Sequence, residues 1–452
     1  MDVVNSVKLL LNSINIKAGM SKESGKREIV FIDGVRTPFL RAQTEFKKFS
    51  AYELGLFAVT GLVTKTKLSN ADAQHIYFGN VIQDINTSNI AREIGLAAGL
   101  PDSIPATTVS MACISSNVAL TSAMNAIGQS QIDGAIVGGV EVMSDIPIRF
   151  RKKFRQKLLE TQRYRKPTDW LGFFKGLRPG DLLPEIPSIS EFSTGETMGQ
   201  SCDKMTAKYG VTREEQDQFA ARSHQLAAEA TEKGFLEDEI VPVSVSRGEI
   251  IVKTDNGIRG DTTIEKLNSL RPAFIKPHGT ATAGNSSFLT DGASAALIME
   301  KSAALKAGHQ PKAILRDYSY VAQRPGDELL IGPAFAVPKV LERLNLTLND
   351  IDVFEFHEAF AGQMVTVLKA LGSKQFAQER LNQEKEVGDV PLDKLNRWGG
   401  SLSIGHPFGA TGIRLVTSAA NRLIHEDGRY ALIAACAAGG QGHAMVIERF
   451  KD

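Results

Sequence analysis

The chain is poor in cysteine: Cys113, Cys202 and Cys436 are the only three in 452 residues. An odd number of widely spaced cysteines argues against a disulfide framework and for a reducing compartment. No apolar run approaches the roughly 20 residues that a membrane-spanning helix requires. Formal charge is nearly balanced, at +1, so the sequence carries no overall electrostatic footprint for a nucleic-acid partner. Metal-binding patterns of the HExxH or paired CxxC type are missing, as are a Walker loop and a Rossmann GxGxxG; the glycines near Cys436 have the wrong spacing for the last. Hydrophobic residues at 42% and charged residues at 23% are ordinary for an intracellular globular enzyme. The length exceeds the usual single domain and predicts two or three.

Two of the scarce cysteines lie in turns rich in glycine and small residues, Cys113 in TVSMACISSN and Cys436 in AACAAGGQGHA, and a third such turn, GGSLSIGHPFGATG, presents His406. Cysteine reacts as its thiolate, which a helix N-terminus, a histidine or a cation favours. Cys113 follows the apolar stretch 106–112 and precedes ISSNVALTSAMNAI, whose apolar residues recur at helical spacing, so it is expected at a strand-to-helix turn where the positive helix end favours the thiolate. Cys436 follows YALIAA, an expected buried strand, and opens into Gly439, Gly440 and Gly442, where backbone N–H groups can approach a ligand and hold an oxyanion. Taken singly, each cysteine is also readable as a small buried hydrophobe, and a Gly-His-Pro turn as merely structural. The three turns together point to nucleophilic thiol chemistry. Cys202, in the polar helical stretch ETMGQSCDKMTAKYG, has no special turn around it and is assigned no chemistry.

Strand-like runs (REIVFIDGVR, AIVGGVE, AALIMEK, AILRDYSYV, VFEFHEAF, YALIAACA) alternate with helical stretches, which predicts an α/β fold. Residues 149–178 contain eleven Lys or Arg against two Asp or Glu, interleaved with Phe150, Phe154, Trp170, Phe173 and Phe174. Such a stretch suits an interfacial membrane element or a docking surface, and equally a solvated arm over the active site. In the first 26 residues Val3, Val7, Leu10, Leu11 and Ile14 share one helical face, as in a mitochondrial targeting segment, although Asp2, Glu23 and the lack of arginine before Arg27 suit an uncleaved surface helix or extension as well.

The segments DGVRTPF from Asp33, VSMACISSN around Cys113, GGVEVMSDIP after Gly138, EFSTGETMG ending at Gly199, NSSFLTDGASA from Asn285, EFHEAFAGQ from Glu355, GGSLSIGHPFGATG from Gly399 and AACAAGGQGHAM ending at Met445 resemble the thiolase family, in particular its trifunctional-enzyme type. The resemblance runs from about Arg27 to Glu448. It implies a five-layered αβαβα fold made of two duplicated halves, 27–141 with 279–310 and 311–452, and a loop domain, 142–278, that carries the basic arm; residues 1–26 fall outside. By the same resemblance Cys113 is the acyl-accepting nucleophile, His406 the base that activates it and Cys436 the acid/base acting on the acetyl-CoA enolate. One oxyanion hole would use His406 with His357 of the His-Glu-Ala-Phe turn and the other the backbone N–H groups of Cys113 and Ala438, and Met198 and Ser287 would line the pantetheine channel.

The implied activity is CoA-dependent cleavage of 3-ketoacyl-CoA, of long chain by inheritance from the resemblance, in fatty-acid β-oxidation. CoA is a substrate, with no bound cofactor and no metal expected. Implied partners are a second copy of the chain, a hydratase/dehydrogenase alpha subunit in an alpha2beta2 complex and a membrane surface met through 149–178. The implied location is the mitochondrion, on the matrix side or at the inner membrane, with a bacterial cytoplasm as the alternative. His357 stands where most thiolases have Asn, and Ala437, Ala438 and Ser116 stand where many have Gly; trifunctional-type thiolases share these changes. Because Cys113, His357 and His406 also imitate the Cys-His-His set of a decarboxylating β-ketoacyl synthase, that enzyme and an acetoacetyl-CoA-forming thiolase are the alternatives. Cys436 discriminates, since decarboxylation needs no second thiol. A non-catalytic acyl-CoA carrier is disfavoured by four reactive side chains at the four reactive positions.

Overall fold

Alternating and continuous aliphatic runs become nine main strands in a computed structural model that describes residues 27–185, 190–246, 250–326 and 328–451. The 1–26 segment, expected as a targeting or surface helix, lies outside the described residues. In chain order the first elements are β1 (Ile29–Arg36), α1 (Ala51–Thr66), β2 (His75–Gly79), α2 (Ile90–Ala97), β3 (Ala106–Val109), α3 (Ser115–Gly128) and β4 (Gly134–Glu141). Then come α4 (Lys152–Glu160), α5 (Met198–Lys208) and α6 (Arg213–Glu232), followed by β5 (Thr290–Glu300) and β6 (Ala313–Ala322). The last are α7 (Gly332–Leu344), β7 (Val353–Phe356), α8 (Ala361–Leu371), α9 (Thr411–His425), β8 (Tyr430–Ala437) and β9 (Gln441–Arg449).

The hydrogen-bonded strand order is β7-β8-β9-β6-β1-β5-β4-β2-β3. Read outward from its middle, the order repeats: β1-β5-β4-β2 on one side and β6-β9-β8-β7 on the other. Directions repeat as well, since β2 with β4 and β7 with β8 are parallel, while the β4–β5, β5–β1, β8–β9 and β9–β6 pairs are antiparallel. Within the sheet the halves meet where β1 pairs with β6, Val30 with Ile314 and Phe31 with Ala313. The duplication too faint to see in the residues is therefore explicit in the topology.

Side chains alternate across each strand, which divides the core into three apolar layers. Ile136, Val140, Ala295 and Leu297 pack outward against Leu54, Leu62 and Ile94 of α1 and α2. Ala135, Val137, Ala296 and Ile298 face inward and share a central layer with Leu120 and Met124 of α3, Val416 and Leu423 of α9, and Ala431, Ile433 and Met445 of the other half. Leu432, Ala434, Phe354 and Phe356 look outward to Val337 of α7 and Met364 of α8. Helices, half-sheet, helices, half-sheet, helices is the five-layered α/β arrangement. Two expected strands have different limits. VFEFHEAF leaves the sheet after Phe356, so His357 sits on a loop, and β8 continues through Cys436, which pairs with Gly442 instead of following the strand.

The region between β4 and β5 is anchored by a buried ionic cluster, in which Arg36 of β1 donates to Glu239 at 2.6 Å and to Asp255 at 2.6 and 2.9 Å. Its basic arm combines α4 with short 3-10 turns and exposes Trp170, Leu171 and Phe174 around an aromatic cluster centred on Phe173. No helix among the described residues is long and apolar enough to cross a membrane.

Candidate active site

Cys113 stands on a strained turn between β3 and α3. Ala112 adopts φ +46°, a left-handed conformation that is costly for a residue with a Cβ. Ser115 holds it there, donating its hydroxyl to the Ala112 carbonyl at 2.7 Å and accepting the Met111 N–H at 2.8 Å. The cysteine is partly accessible. Burial pushes its thiol up to about 12, the Glu141 carboxylate adds to the rise, and the N–H groups of Ala438 and Cys113 itself, both turned on the sulfur, pull the other way. Cys113 stands at the expected strand-to-helix turn, two residues before α3, but where the helix end was expected to favour the thiolate, burial moves the thiol the other way. The resting nucleophile is a thiol.

His406 is presented by the loop before α9, where Gly405 takes φ +116°. Its Nδ1 lies 2.7 Å from Thr411 Oγ1, and the Thr411 hydroxyl donates to the Pro407 carbonyl at 3.0 Å. A hydroxyl has one hydrogen, so the Thr411 oxygen accepts from His406 Nδ1–H, which leaves the Nε2 lone pair free. That Nε2 is buried without a partner. Burial, helped by the Arg414 charge, lowers the imidazole to about 3, so at physiological pH it is neutral and its Nε2 lone pair is free.

His357, at the end of β7, is fully buried, with Nδ1 3.0 Å from Ser401 Oγ and Nε2 unpartnered. Burial, then the neighbouring His406 and Arg414, keep it far below the usual imidazole range. Ligand atoms of Cys113, His357 and His406 all lie within 4.8 Å of one another. A thiol, a lone-pair nitrogen and a second imidazole thus open onto one point. The loop carrying His406 is tied to the nucleophile's half by buried Glu141, which accepts the N–H groups of Val81 at 3.2 Å, Ile82 at 2.9 Å and Gly409 at 3.1 Å. Burial raises this carboxyl to about 7 against the pull of those donors.

Cys436 is buried at the end of β8. Burial pushes its thiol well above the usual range, Cys113 adds to the rise and Cys202 contributes less. Beyond it Gly439 and Gly440 adopt φ +84° and +70°, a left-handed turn that only glycine takes without strain and that brings the Ala438 N–H to Cys113. Cys202, assigned no chemistry, lies in the same apolar cluster as Cys436. Met198, at the first position of α5, packs against that cluster, and the Ser287 N–H donates to the Ala359 carbonyl at 3.0 Å, next to the His357 turn. The sequence reading passed over Ser115, Glu141, Ser401, Thr411 and Arg414. Ser401 and Thr411 lie inside the quoted histidine motif, yet nothing in their spacing announces which imidazole each will meet.

A family model for the thiolase N-terminal domain matches residues 29–302, and one for the C-terminal domain matches 309–449. The chain is 53% identical to the mitochondrial trifunctional enzyme subunit beta of Bos taurus, over 94% of this chain and 89% of that protein. It is 53% identical to a probable 3-ketoacyl-CoA thiolase of Caenorhabditis elegans, over 93% of this chain and 94% of that one. Among solved structures, human mitochondrial 3-ketoacyl-CoA thiolase superposes with a TM-score of 0.81 at 29% identity, covering 94% of this chain and 99% of that chain. The same enzyme in complex with CoA gives 0.80 at 28% identity, covering 94% and 98%.

Proposed function

Since the chain belongs to the thiolase family and is an acyltransferase of the 3-ketoacyl-CoA thiolase type, we propose that it cleaves 3-ketoacyl-CoA in two ping-pong half-reactions through an acyl-Cys113 intermediate. The observation that carries this reading is the meeting of the Cys113 sulfur with the ring nitrogens of His357 and His406 within 4.8 Å, beside the second buried thiol, Cys436.

In the first half-reaction His406 Nε2 takes the Cys113 proton as the sulfur attacks the 3-keto carbon. Neither group is charged at rest, so charge separation develops only as the bond forms, where the Ala438 and Cys113 N–H groups face it. The C2–C3 bond then breaks, and its electron pair leaves on C2 of acetyl-CoA as an enolate, which Cys436 protonates. His357 supports the enolate oxygen. In the second half-reaction the thiol of free CoA gives its proton to the Cys436 thiolate and attacks the acyl-thioester, the shortened acyl-CoA departs, and Cys113 recovers its proton from His406. A decarboxylating synthase would make no use of Cys436.

In this reading the region between β4 and β5 holds the CoA tail, with Met198 and Ser287 along the channel, and long acyl chains are preferred. Two copies of the chain form the core of a complex with a hydratase/dehydrogenase alpha subunit in the mitochondrion. The exposed aromatics and cations of 149–178 meet the inner membrane from the matrix side; salt-sensitive flotation with anionic liposomes that is lost on deleting 149–178 is expected, and equal flotation removes the membrane contact. The central test incubates the purified protein with CoA and a ladder of 3-ketoacyl-CoA lengths while acetyl-CoA release is followed. Cys113→Ala and His406→Ala should lose at least about 10²-fold in turnover. Release without chain shortening, or unimpaired turnover in Cys113→Ala, defeats the proposal.

A further inference from the structure

One helix bears on both imidazoles. Thr411, in the first turn of α9, bonds His406 Nδ1 directly, and Arg414, one turn later, reaches His357 through Ser401: Arg414 Nη2 donates to Ser401 Oγ at 3.2 Å, and Ser401 Oγ lies 3.0 Å from His357 Nδ1. All five side chains are buried. A guanidinium only donates. The Ser401 oxygen is therefore already an acceptor, and its hydrogen has the His357 Nδ1 lone pair in front of it. The opposite arrangement, Nδ1–H donating to Ser401, would leave that hydroxyl hydrogen buried without this acceptor, which is unfavourable.

We propose that Ser401 and Arg414 are positioning residues that fix the tautomer of His357 with its proton on Nε2, so that α9 gives two neighbouring histidines opposite roles: His406 Nε2 a lone pair for the Cys113 proton, His357 Nε2–H a donor for the substrate oxygen. The proposal rests on the thiolase reading of the site for the use of that donor, but the tautomers themselves follow from the hydrogen bonds alone. Glu355 completes the device. It accepts from Arg414 at 3.4 Å and from Arg422 at 2.7 Å, which holds the guanidinium in place in the low-dielectric interior. The charge of Arg414 also disfavours an imidazolium at either histidine.

The decisive measurement is the long-range proton–nitrogen NMR spectrum of full-length protein labelled with 15N-histidine, with His357→Asn and His406→Asn used to assign the two signals. Expected are an Nε2–H tautomer for His357 and an Nδ1–H tautomer for His406. In Ser401→Ala the His357 signal should move toward the other tautomer while that of His406 stays. The same variant should lose on the order of 10²-fold in kcat with KM within about threefold, because a mis-set tautomer removes a transition-state donor and leaves CoA binding alone; Ser401→Thr, which keeps the hydroxyl, should restore the tautomer and most of kcat. An Nδ1–H tautomer for His357 in the wild type, or a Ser401→Ala protein with unchanged tautomer and kcat, overturns the proposal. Correct tautomers in a protein that cleaves no 3-ketoacyl-CoA would instead sink the functional reading and leave the hydrogen-bond relay standing.

Discussion

The rings of His357 and His406 lie 4.1 Å apart, centroid to centroid, inclined by 45°. Two imidazolium ions cannot share that space, buried and facing Arg414, so both rings stay neutral. The consequence for stability has a definite sign. His406 titrates at about 3 in the folded chain against about 6.5 when unfolded, and His443, buried at the back of the core, also at about 3. Between those values the unfolded chain binds more protons, so each histidine's contribution is complete above pH 6.5 and is lost as pH falls toward 3. Urea midpoints should decline on acidification below pH 6.5, by at most about 1.4 kcal/mol per pH unit for each such histidine. A shallower slope is expected in His406→Asn, and an identical slope would show that this ring is protonated in the folded protein.

The same burial makes Cys113 a poor nucleophile until substrate arrives. With the thiol pushed up to about 12, alkylation by iodoacetamide should be slow at pH 7 and rise steadily through pH 10. A resting thiolate–imidazolium pair would give fast labelling with a plateau near neutrality, and would show thiolate absorbance that disappears in Cys113→Ala. Tryptic mass spectrometry separates this site from the two buried thiols.

The chemistry was more legible in the residues than its tuning. Cys113 and His406 stand in turns, and Cys436 at a strand end just before one, whose small residues and glycines have few other uses, and the strands stand out as apolar runs. What the chain order hides is the set of contacts among distant segments: Glu141 reaching Gly409, Ser401 reaching His357, the duplicated strand order. The thiolate expectation for Cys113 failed for a related reason. A helix end can be read from local sequence, but the burial that pushes the thiol up, and the Glu141 carboxylate that adds to it, come from the folded surroundings.

Close approach of backbones joins the two catalytic halves, and Gly139 on β4 is where it can be tested. A Cβ there would fall 1.9 Å from the Gly409 carbonyl oxygen and 3.0 Å from that of Gly79, atoms that a side-chain rotation cannot move aside. Gly139→Ala must part the sheet from the loop bearing His406. A stability loss of about 1–3 kcal/mol is expected, together with a fall in kcat larger than any change in KM. Gly128→Ala, at a helix position with open space around its Cβ, is the control and should be neutral or slightly stabilising. Equal behaviour of the two variants would mean that the loop gives way freely.

The sharpest division of labour is between the two thiols. Cys436→Ser is nearly isosteric, so the β8–β9 pairing around it should survive, but a hydroxyl is a far weaker acid than a thiol and cannot supply a proton to the enolate on the same timescale. Acylation of Cys113 by an acyl-CoA needs no proton at C2. The variant should therefore still exchange labelled CoA into acyl-CoA, with acyl-Cys113 visible by mass spectrometry. Cleavage of 3-ketoacyl-CoA and the reverse condensation should each fall by about 10²–10⁴-fold. Deuterium uptake at C2 of acetyl-CoA in heavy water, which the wild type should catalyse, isolates the step and should vanish in the variant. If cleavage and C2 exchange both persist at wild-type rates, the proton comes from elsewhere, and the buried thiol at 436 is a packing residue.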